Sequence, residues 1–241
     1  MSHSYQGTEL ALFAGATQWK TYLGETLAPY VRGRVLDVGA GIGGNMRPLA
    51  NARVTHWDSV EPDPRLAGEI RQTLAQARPE FACSVINGTI AAIPHRARYD
   101  TILYMDVLEH IENDASELHD AAGRLAQGGC LVVLVPAHQF LFSPFDKAVG
   151  HHRRYGLRQL RSLTPLHTQI EMCRLLDSVG FFASLANRAL LRQASPTGRQ
   201  IATWDRFMIP ASRVLDPIAG YRFGKSALMV WRAAHEGDGG H

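Results

Sequence analysis

Three carboxylates and a set of histidines stand where they could do chemistry. Asp37 lies two positions before a glycine run, Val35-Leu36-Asp37-Val38-Gly39-Ala40-Gly41-Ile42-Gly43-Gly44-Asn45. Glu61 closes the next apolar segment, and Asp106 closes a later one, followed at once by Val107-Leu108-Glu109-His110. Glycines let a backbone adopt φ/ψ values that a Cβ forbids and lie directly against a ligand. A carboxylate beside such a turn suits a cationic ligand, and a second can accept a bidentate pair of hydroxyl hydrogen bonds. Histidine titrates near neutrality and can take a proton from an attacking hydroxyl or amine, a role for which His110 and His138 are the candidates.

Gly39, Gly41 and Gly44 also satisfy the dinucleotide fingerprint G-x-G-x-x-G, with Glu61 at the spacing of a ribose-binding acid. Asp37 separates the two readings. A dinucleotide turn sets pyrophosphate at a helix N-terminus, where a neighbouring carboxylate would repel it, whereas a cationic ligand would be attracted.

The elements that must position these residues are legible from periodicity. Residues 35–38 read as strand and 46–50 as helix around the glycine turn. Residues 54–60 form a second strand, stopped by Glu61-Pro62-Asp63-Pro64, and 65–77 a helix with proline in its first turn. A third strand covers 81–86 and leads to Asn87-Gly88-Thr89-Ile90; a buried strand covers 99–106. Residues 113–126 read as an amphipathic helix ended by Gly128-Gly129, followed by a central strand over 130–135 and a short helix over 157–163. Residues 167–176 read as a sixth strand from the alternation of Ile170 and Met172. Leu166, Ile170, Cys173 and Leu176 also fit one helix over 166–179. Residues 179–220 form a helical insertion before a last strand at 226–231.

The glycine stretch closely resembles the first motif of class I S-adenosylmethionine (SAM)-dependent methyltransferases, and Asp106-Val107-Leu108-Glu109-His110-Ile111 resembles the fourth-strand motif of the same family. The resemblance runs from about residue 33 to 232. It implies an α/β, Rossmann-like fold with a seven-stranded, mostly parallel sheet, helices on both faces and a helical insertion before the last strand. It also implies SAM as cofactor. Asp37, Gly39, Ala40, Gly41 and Asn45 would receive the methionine end, Glu61 and Pro62 the ribose, and Asp106 and Val107 the sulfonium side. Gly88, Thr89 and Ile90 would meet adenine, with Thr89 standing where the family usually has an acid. Many members close a helix over SAM from before the first strand, so Tyr5, Trp19 or Tyr22 is a candidate contact; packing on the sheet is the other use of these aromatics. Asp106, Glu109, His110 and His138 also resemble the Glu-x-x-Glu-His plus distal His metal site of small-RNA 3′-end 2′-O-methyltransferases. Because Asp-x-x-Glu-His is common in metal-free methyltransferases, no metal is expected.

The segment from Pro136 to Tyr155 follows a strand's C-terminal end, where α/β folds place substrate. Phe142, His151, Arg154 and Tyr155 are its candidate acceptor contacts, with Arg153 or Arg154 able to hold a carboxylate or phosphate. The expected reaction is methyl transfer to oxygen or nitrogen of a small metabolite, hydrophobic or anionic. A catalytically silent SAM-binding scaffold is the alternative. An NAD-linked oxidoreductase is disfavoured by Asp37 and by the lack of room for a substrate domain in 241 residues.

Those 241 residues suit one domain, with 1–32 as an N-terminal cap, 177–222 as a lid or interface and 235–241 as a frayed tail. A net charge of +3 with dispersed basic residues is no nucleic-acid signature, and no nucleic-acid partner is expected. Cys83, Cys130 and Cys173 lack metal or disulfide spacing and are expected to be reduced thiols. No apolar run reaches the length of a membrane span and the first residues lack a signal-peptide pattern, so a cytoplasmic protein is expected. The insertion offers a lid, a homodimer contact or a membrane-surface face; its proline and interspersed charges favour the first two.

Overall fold

The computed structural model describes residue 10 and residues 13–188 and 197–234. Tyr5 and the 235–241 tail lie outside the described residues. Seven strands form one sheet in the order β3-β2-β1-β4-β5-β7-β6. These are β1 (Gly33–Val38), β2 (Val54–Glu61), β3 (Ala82–Asn87), β4 (Tyr99–Met105), β5 (Leu125–Pro136), β6 (Thr168–Leu176) and β7 (Ser226–Ala233). The first five run parallel, and β7 enters between β5 and β6 antiparallel to both.

The central strands are apolar almost throughout because both faces are covered. Successive residues alternate between two cores. Leu36, Val38, Tyr104, Val133 and Trp231 enter one; Val35, Leu103, Val132, Leu134 and Val230 enter the other. Strand order reverses between β1 and β4, so the connections leaving those two strands diverge. The crevice left at their C-terminal ends is where open α/β sheets hold ligands. The glycine turn and Asp106 both lie there.

The helices that cover the sheet are α1 (Thr17–Leu27), α2 (Met46–Leu49), α3 (Pro64–Ala77), α4 (Asp114–Ala122), α5 (Pro144–Ala148) and α6 (Leu157–Ser162). The insertion contributes α7 (Ser178–Ala186), α8 (Gly198–Thr203), a π-helical turn (Trp204–Met208) and α9 (Ile209–Ile218). Asp63 starts α3 by accepting from the N–H groups of Arg65 and Leu66, which satisfies two of the four donors a helix start leaves open.

Two boundaries differ from those read from periodicity. The helix expected over 113–126 ends at Ala122, and β5 begins at Leu125, five residues before the expected strand. Gly128 and Gly129 therefore lie inside β5, where the pairing with β4 shifts register next to Tyr99. Gly128 has φ +67°, and a Cβ on Gly129 would come within 2.9 Å of the Tyr99 carbonyl oxygen, so the glycines make a bulge rather than a helix stop. Residues 167–176 form the strand and not the competing helix; a register shift between Ile170 and Met172 absorbs the broken alternation.

The insertion is tied to the N-terminal helix by buried acids. Asp216 accepts from Tyr22 Oη at 2.9 Å and from the N–H groups of Asp177 and Ser178 at 2.8 and 2.9 Å. Asp205 accepts from the N–H groups of Gln18 and Trp19 at the start of α1. These bonds satisfy orphan donors at two helix starts, so α1, α7 and α9 dock as one unit. Among the described residues no helix is long and apolar enough to cross a membrane.

Candidate functional site

The glycine turn is fixed from below by β2. The N–H groups of Gly39 and Ala40 both donate to the Val60 carbonyl, at 2.8 and 3.0 Å. Gly39 (φ +67°) and Gly41 (φ +58°) hold left-handed backbone. A Cβ on Gly39 would stand 2.7 Å from both methyls of Val107, and one on Gly41 would press on Leu10. Both positions thus combine a backbone conformation and a close approach that only glycine meets.

Asp37 is fully buried. Asn45 Nδ2 donates to its Oδ1 at 3.1 Å, while Oδ2 has no hydrogen-bond partner. Burial pushes the carboxyl up to about 7, opposed by Asn45, reinforced by the Glu61 charge and opposed further by the nearby Trp57 indole. A buried acid left with an unpartnered oxygen is held ready for a donor from outside the chain. Glu61 braces the turn, with Oε2 accepting from Gly41 N–H at 2.8 Å and Oε1 from Asp63 N–H at 2.9 Å. Burial raises its pKa and those two N–H bonds oppose the rise. Asn87 Nδ2 spans the carbonyls of Glu61 and Pro62, joining β2 to the Gly88-Thr89 turn. Thr89 is exposed beside that turn, whereas Ile90 is sunk in the core with Val60 and Tyr104. Of the aromatics before β1, Trp19 is buried against Tyr22 and Trp204, so packing is its observed use.

At the end of β4, Asp106 is exposed in left-handed backbone (φ 55°) and Val107 turns over Gly39. The next turn carries Glu109 and His110. Glu109 is fully buried with both carboxylate oxygens unpartnered. Burial raises its pKa well above the usual carboxylate range, and the neighbouring Asp106 charge adds to this. Burial pushes His110 down to about 4, with His151 and His152 adding to the fall and the Gly150 backbone opposing it.

The loop after β5 folds back onto this turn through one acid. Asp146, itself buried, accepts from Ser143 Oγ and N–H, from His151 Nδ1 at 3.0 Å and from Arg154 through Nε and Nη2 at 2.8 and 2.9 Å. Burial alone would raise its pKa, but the bonds from His151, Arg154 and Ser143 and the Arg154 charge hold it far below the usual range. His152 N–H donates to the Glu109 carbonyl, pinning the loop to the β4 end. His151 is thereby brought edge-on to His110, with ring centroids 4.6 Å apart and planes at 87°.

This arrangement corrects part of the acceptor reading. Arg154 is committed to Asp146, and Arg153 to Asp114 at 2.7 Å, so the anion each was expected to hold is an acid of this chain. Tyr155 is wholly buried, its hydroxyl bonded to Asp114 and to the Leu108 carbonyl, and it has no surface for an acceptor. Phe142 is half-buried beside the start of α5. His138 stands apart from the His110–His151 pair. Its Nε2 bonds the Gly224 carbonyl at 3.0 Å, and its ring packs on Phe140 and Phe181.

That packing extends into an aromatic patch which periodicity did not reveal. Phe181 meets Phe182 and Phe223, and Phe140, Phe182 and Phe223 each expose about half of their surface. Lys225, at the patch's inner edge, has its pKa lowered by burial against the charges of Asp177, Asp146 and Asp106. No sequence spacing links residues 106, 146 and 225; only the β5–β7 pairing puts them together. A separate 620 Å³ cavity lined by Arg34, Asp58, Ser84 and Tyr99 shares no residue with this crevice. Its Asp58 is satisfied by Arg34, His56, Ser84 and Tyr99, which makes it an internal network.

Residues 12–182 match the profile of a family described as a methyltransferase domain. The chain is 30% identical over 167 residues to a demethylmenaquinone methyltransferase of Tropheryma whipplei, covering 68% of this chain and 66% of that one. It is 25% identical over 214 residues to the non-canonical nonribosomal peptide synthetase CymA of Salinispora arenicola, covering 86% of this chain but 2% of the synthetase. Both curated relatives are thus longer than the part this chain spans. Among solved structures, the [4+2]-cyclase SpnF shares the fold with a TM-score of 0.63 and 14% identity over 95% of each chain. A likeness that includes a cyclase fixes the scaffold and leaves the chemistry to the site.

Proposed function

Because this chain belongs to the class I SAM-dependent methyltransferase family, we propose that it moves a methyl group to an oxygen or nitrogen of a small, largely apolar acceptor. The observation that carries the placement of the cofactor is Asp37. Its buried, unpartnered Oδ2 beside the two left-handed glycines fits a ligand that brings an ammonium group and needs backbone close by. Asn45 orients that carboxylate, and Ala40 keeps the turn seated on Val60. Each Glu61 oxygen has spent one acceptor position on a backbone N–H and keeps another, a pair suited to two adjacent ribose hydroxyls. Gly88 and Thr89 supply the exposed edge for the adenine end, by backbone and hydroxyl rather than by Ile90's packed side chain.

SAM brings a methyl group already attached to a positively charged sulfur, so the chain's task is alignment more than activation. Asp106 and Val107 bound the crevice on the β4 side, while the aromatic patch of Phe140, Phe181, Phe182 and Phe223 gives an apolar wall for the acceptor. His138 presents Nδ1 as its lone pair, since the Gly224 carbonyl requires the proton on Nε2, and it is the group we assign to take the acceptor's proton. His110, pushed down to about 4, is neutral at pH 7 and a weak base. The unit made by α1 and the insertion is assigned as the lid of this crevice.

Calorimetric titration of the untagged chain with S-adenosylhomocysteine, and with NAD in parallel, tests the reading. One site for S-adenosylhomocysteine and none for NAD is expected. Binding of NAD alone would refute it.

A further inference from the structure

The assigned roles leave Glu109 unexplained. It is a carboxylate with 1% of its side chain exposed and no partner on either oxygen. Leaving a buried carboxyl so bare is costly, and a local hydrogen bond would have removed that cost. What faces it instead is His151, with Nε2 3.9 Å from Glu109 Oε1. One ligand atom from each of Glu109, His110 and His151 lies within 4.8 Å of the others, a group that stands out among the described residues as able to hold a metal ion.

The imidazoles are prepared for an ion. His151 gives its Nδ1 proton to Asp146, which leaves the Nε2 lone pair directed toward Glu109. A carboxylate that holds the far nitrogen of a histidine is the usual outer support of a metal-ligating imidazole, setting its tautomer and raising its basicity. Asp146 is in turn locked by Ser143 and Arg154, so the His151 ring has little freedom to turn away. His110 is set on the other side by Gly150, and its ring stands nearly perpendicular to that of His151. Metal–ligand bonds of about 2.0–2.2 Å in tetrahedral geometry place ligand atoms roughly 3.4 Å apart. The group therefore needs to contract by up to about 1.4 Å, through the unbonded Glu109 side chain more than through the His151 ring that Asp146 holds.

We propose that Glu109, His110 and His151 form a binding site for a divalent transition-metal ion of the Zn²⁺ type, with Asp146 as its outer support and an open position for the acceptor's hydroxyl oxygen. Two imidazoles and one carboxylate are a donor set for borderline metals, and three protein ligands leave coordination free for a further group. The site begins two residues beyond Val107, which covers Gly39 of the glycine turn, so the open position belongs to the same crevice. An alcohol or phenol bound there would be acidified by the ion, which eases transfer of its proton to His138. The acceptor role rests on the methyltransferase reading; the ion site does not, and it narrows the acceptor from oxygen or nitrogen to oxygen.

The test uses the untagged full chain stripped of metal with a chelator. Zn²⁺ is titrated in competition with a chromophoric chelator, and Co²⁺ is added separately to read its visible absorption; S-adenosylhomocysteine is titrated in parallel. One equivalent of Zn²⁺ with a Kd at or below the order of 1 μM and Co²⁺ bands typical of four or five ligands are expected. Glu109→Gln should weaken Zn²⁺ at least tenfold and Asp146→Asn about 10–100-fold, as outer-support mutations do. His151→Gln, at a position less buried than Glu109, provides the same reading if Glu109→Gln does not fold. Absence of a stoichiometric site in the native chain, or equal affinity in the native chain and His151→Gln, would overturn the proposal. S-adenosylhomocysteine binding without Zn²⁺ would remove the ion and leave the methyltransferase reading intact. Zn²⁺ binding without S-adenosylhomocysteine would keep the ion and remove its acceptor role.

Discussion

Replacing Asp37 with asparagine separates the charge of this residue from its shape, and the structure sets the size of the effect. Burial holds the Asp37 carboxyl at about 7 in the free protein, against 3.8 for an unburied group. That difference of about 3 units corresponds to roughly 4 kcal/mol favouring the protonated form in the folded chain. The sign follows from the raised value. Folding stability contributed by the group is full below 3.8 and is lost as pH rises toward 7. A ligand ammonium on Oδ2 requires the ionised form, so the free protein must lose a proton to bind. At pH 6 the apparent affinity is reduced about 11-fold by that requirement and at pH 7.5 about 1.3-fold, an improvement of about eightfold over the interval. Calorimetry with S-adenosylhomocysteine in two buffers of different ionisation enthalpy reads both the affinity and the proton released. The native chain should gain about eightfold between pH 6 and 7.5 and release close to one proton at pH 6. Asp37→Asn should bind at least tenfold more weakly at pH 7.5 with a flat profile, since one charge-assisted bond contributes about 1.5–3 kcal/mol. A flat profile in the native chain, or a slope retained in the variant, would refute the placement of the ligand's cation at Asp37.

Gly39→Ala forces a Cβ to 2.7 Å from the Val107 methyls at φ +67°; S-adenosylhomocysteine binding should fall at least tenfold, with stability reduced by about 1–2 kcal/mol, measured by calorimetry and urea unfolding. Asp216→Ala leaves Tyr22 Oη and the N–H groups of Asp177 and Ser178 without their acceptor; a loss of about 3 kcal/mol and a Tm lower by roughly 6–12 °C should appear in differential scanning calorimetry. Asp146, whose folded pKa is depressed, contributes stability that is present above the ordinary carboxylate range and is lost as pH falls through and below it. Chemical unfolding between pH 3 and 7 should therefore show the native chain losing its advantage over Asp146→Asn as pH falls. Tyr155→Phe removes two buried hydroxyl bonds and no acceptor contact, so it should lower Tm while leaving the KM for any identified acceptor unchanged.

Much of the scaffold is written locally. A strand, a glycine turn and a helix follow one another within fifteen residues of Asp37, and the turn's demand for left-handed backbone at Gly39 and Gly41 is met by residue type alone. Glu61 ends β2 because Pro62 and Pro64 stop the strand there, which is equally local. Residues 167–176 fit both periods, and the pairing of β6 with β7 makes them a strand by supplying backbone partners that a sequence window does not contain. Gly128 and Gly129 resemble a helix stop in sequence and serve as a bulge, because the register of β5 against β4 is decided across the sheet.

The side chains of the loop after β5 are the least legible. Gly150-His151-His152-Arg153-Arg154-Tyr155 reads as a basic, aromatic surface, yet Asp114 and Asp146 take up both arginines and bury the tyrosine. Exposure of a charged residue depends on which acid the fold carries to it, and Asp114 is 39 residues from Arg153. The same holds for the histidines. By type and by position at a strand end, His138 is the natural companion of His110, but the Gly224 carbonyl and two phenylalanines claim it, and His151 arrives through Asp146. Residue types and short spacings thus determine the glycine turn, where one continuous segment carries the backbone demand. Only the tertiary structure decides which acids and imidazoles meet around the end of β4 and the loop after β5, because those meetings depend on strand order and loop closure over distances that periodicity does not encode.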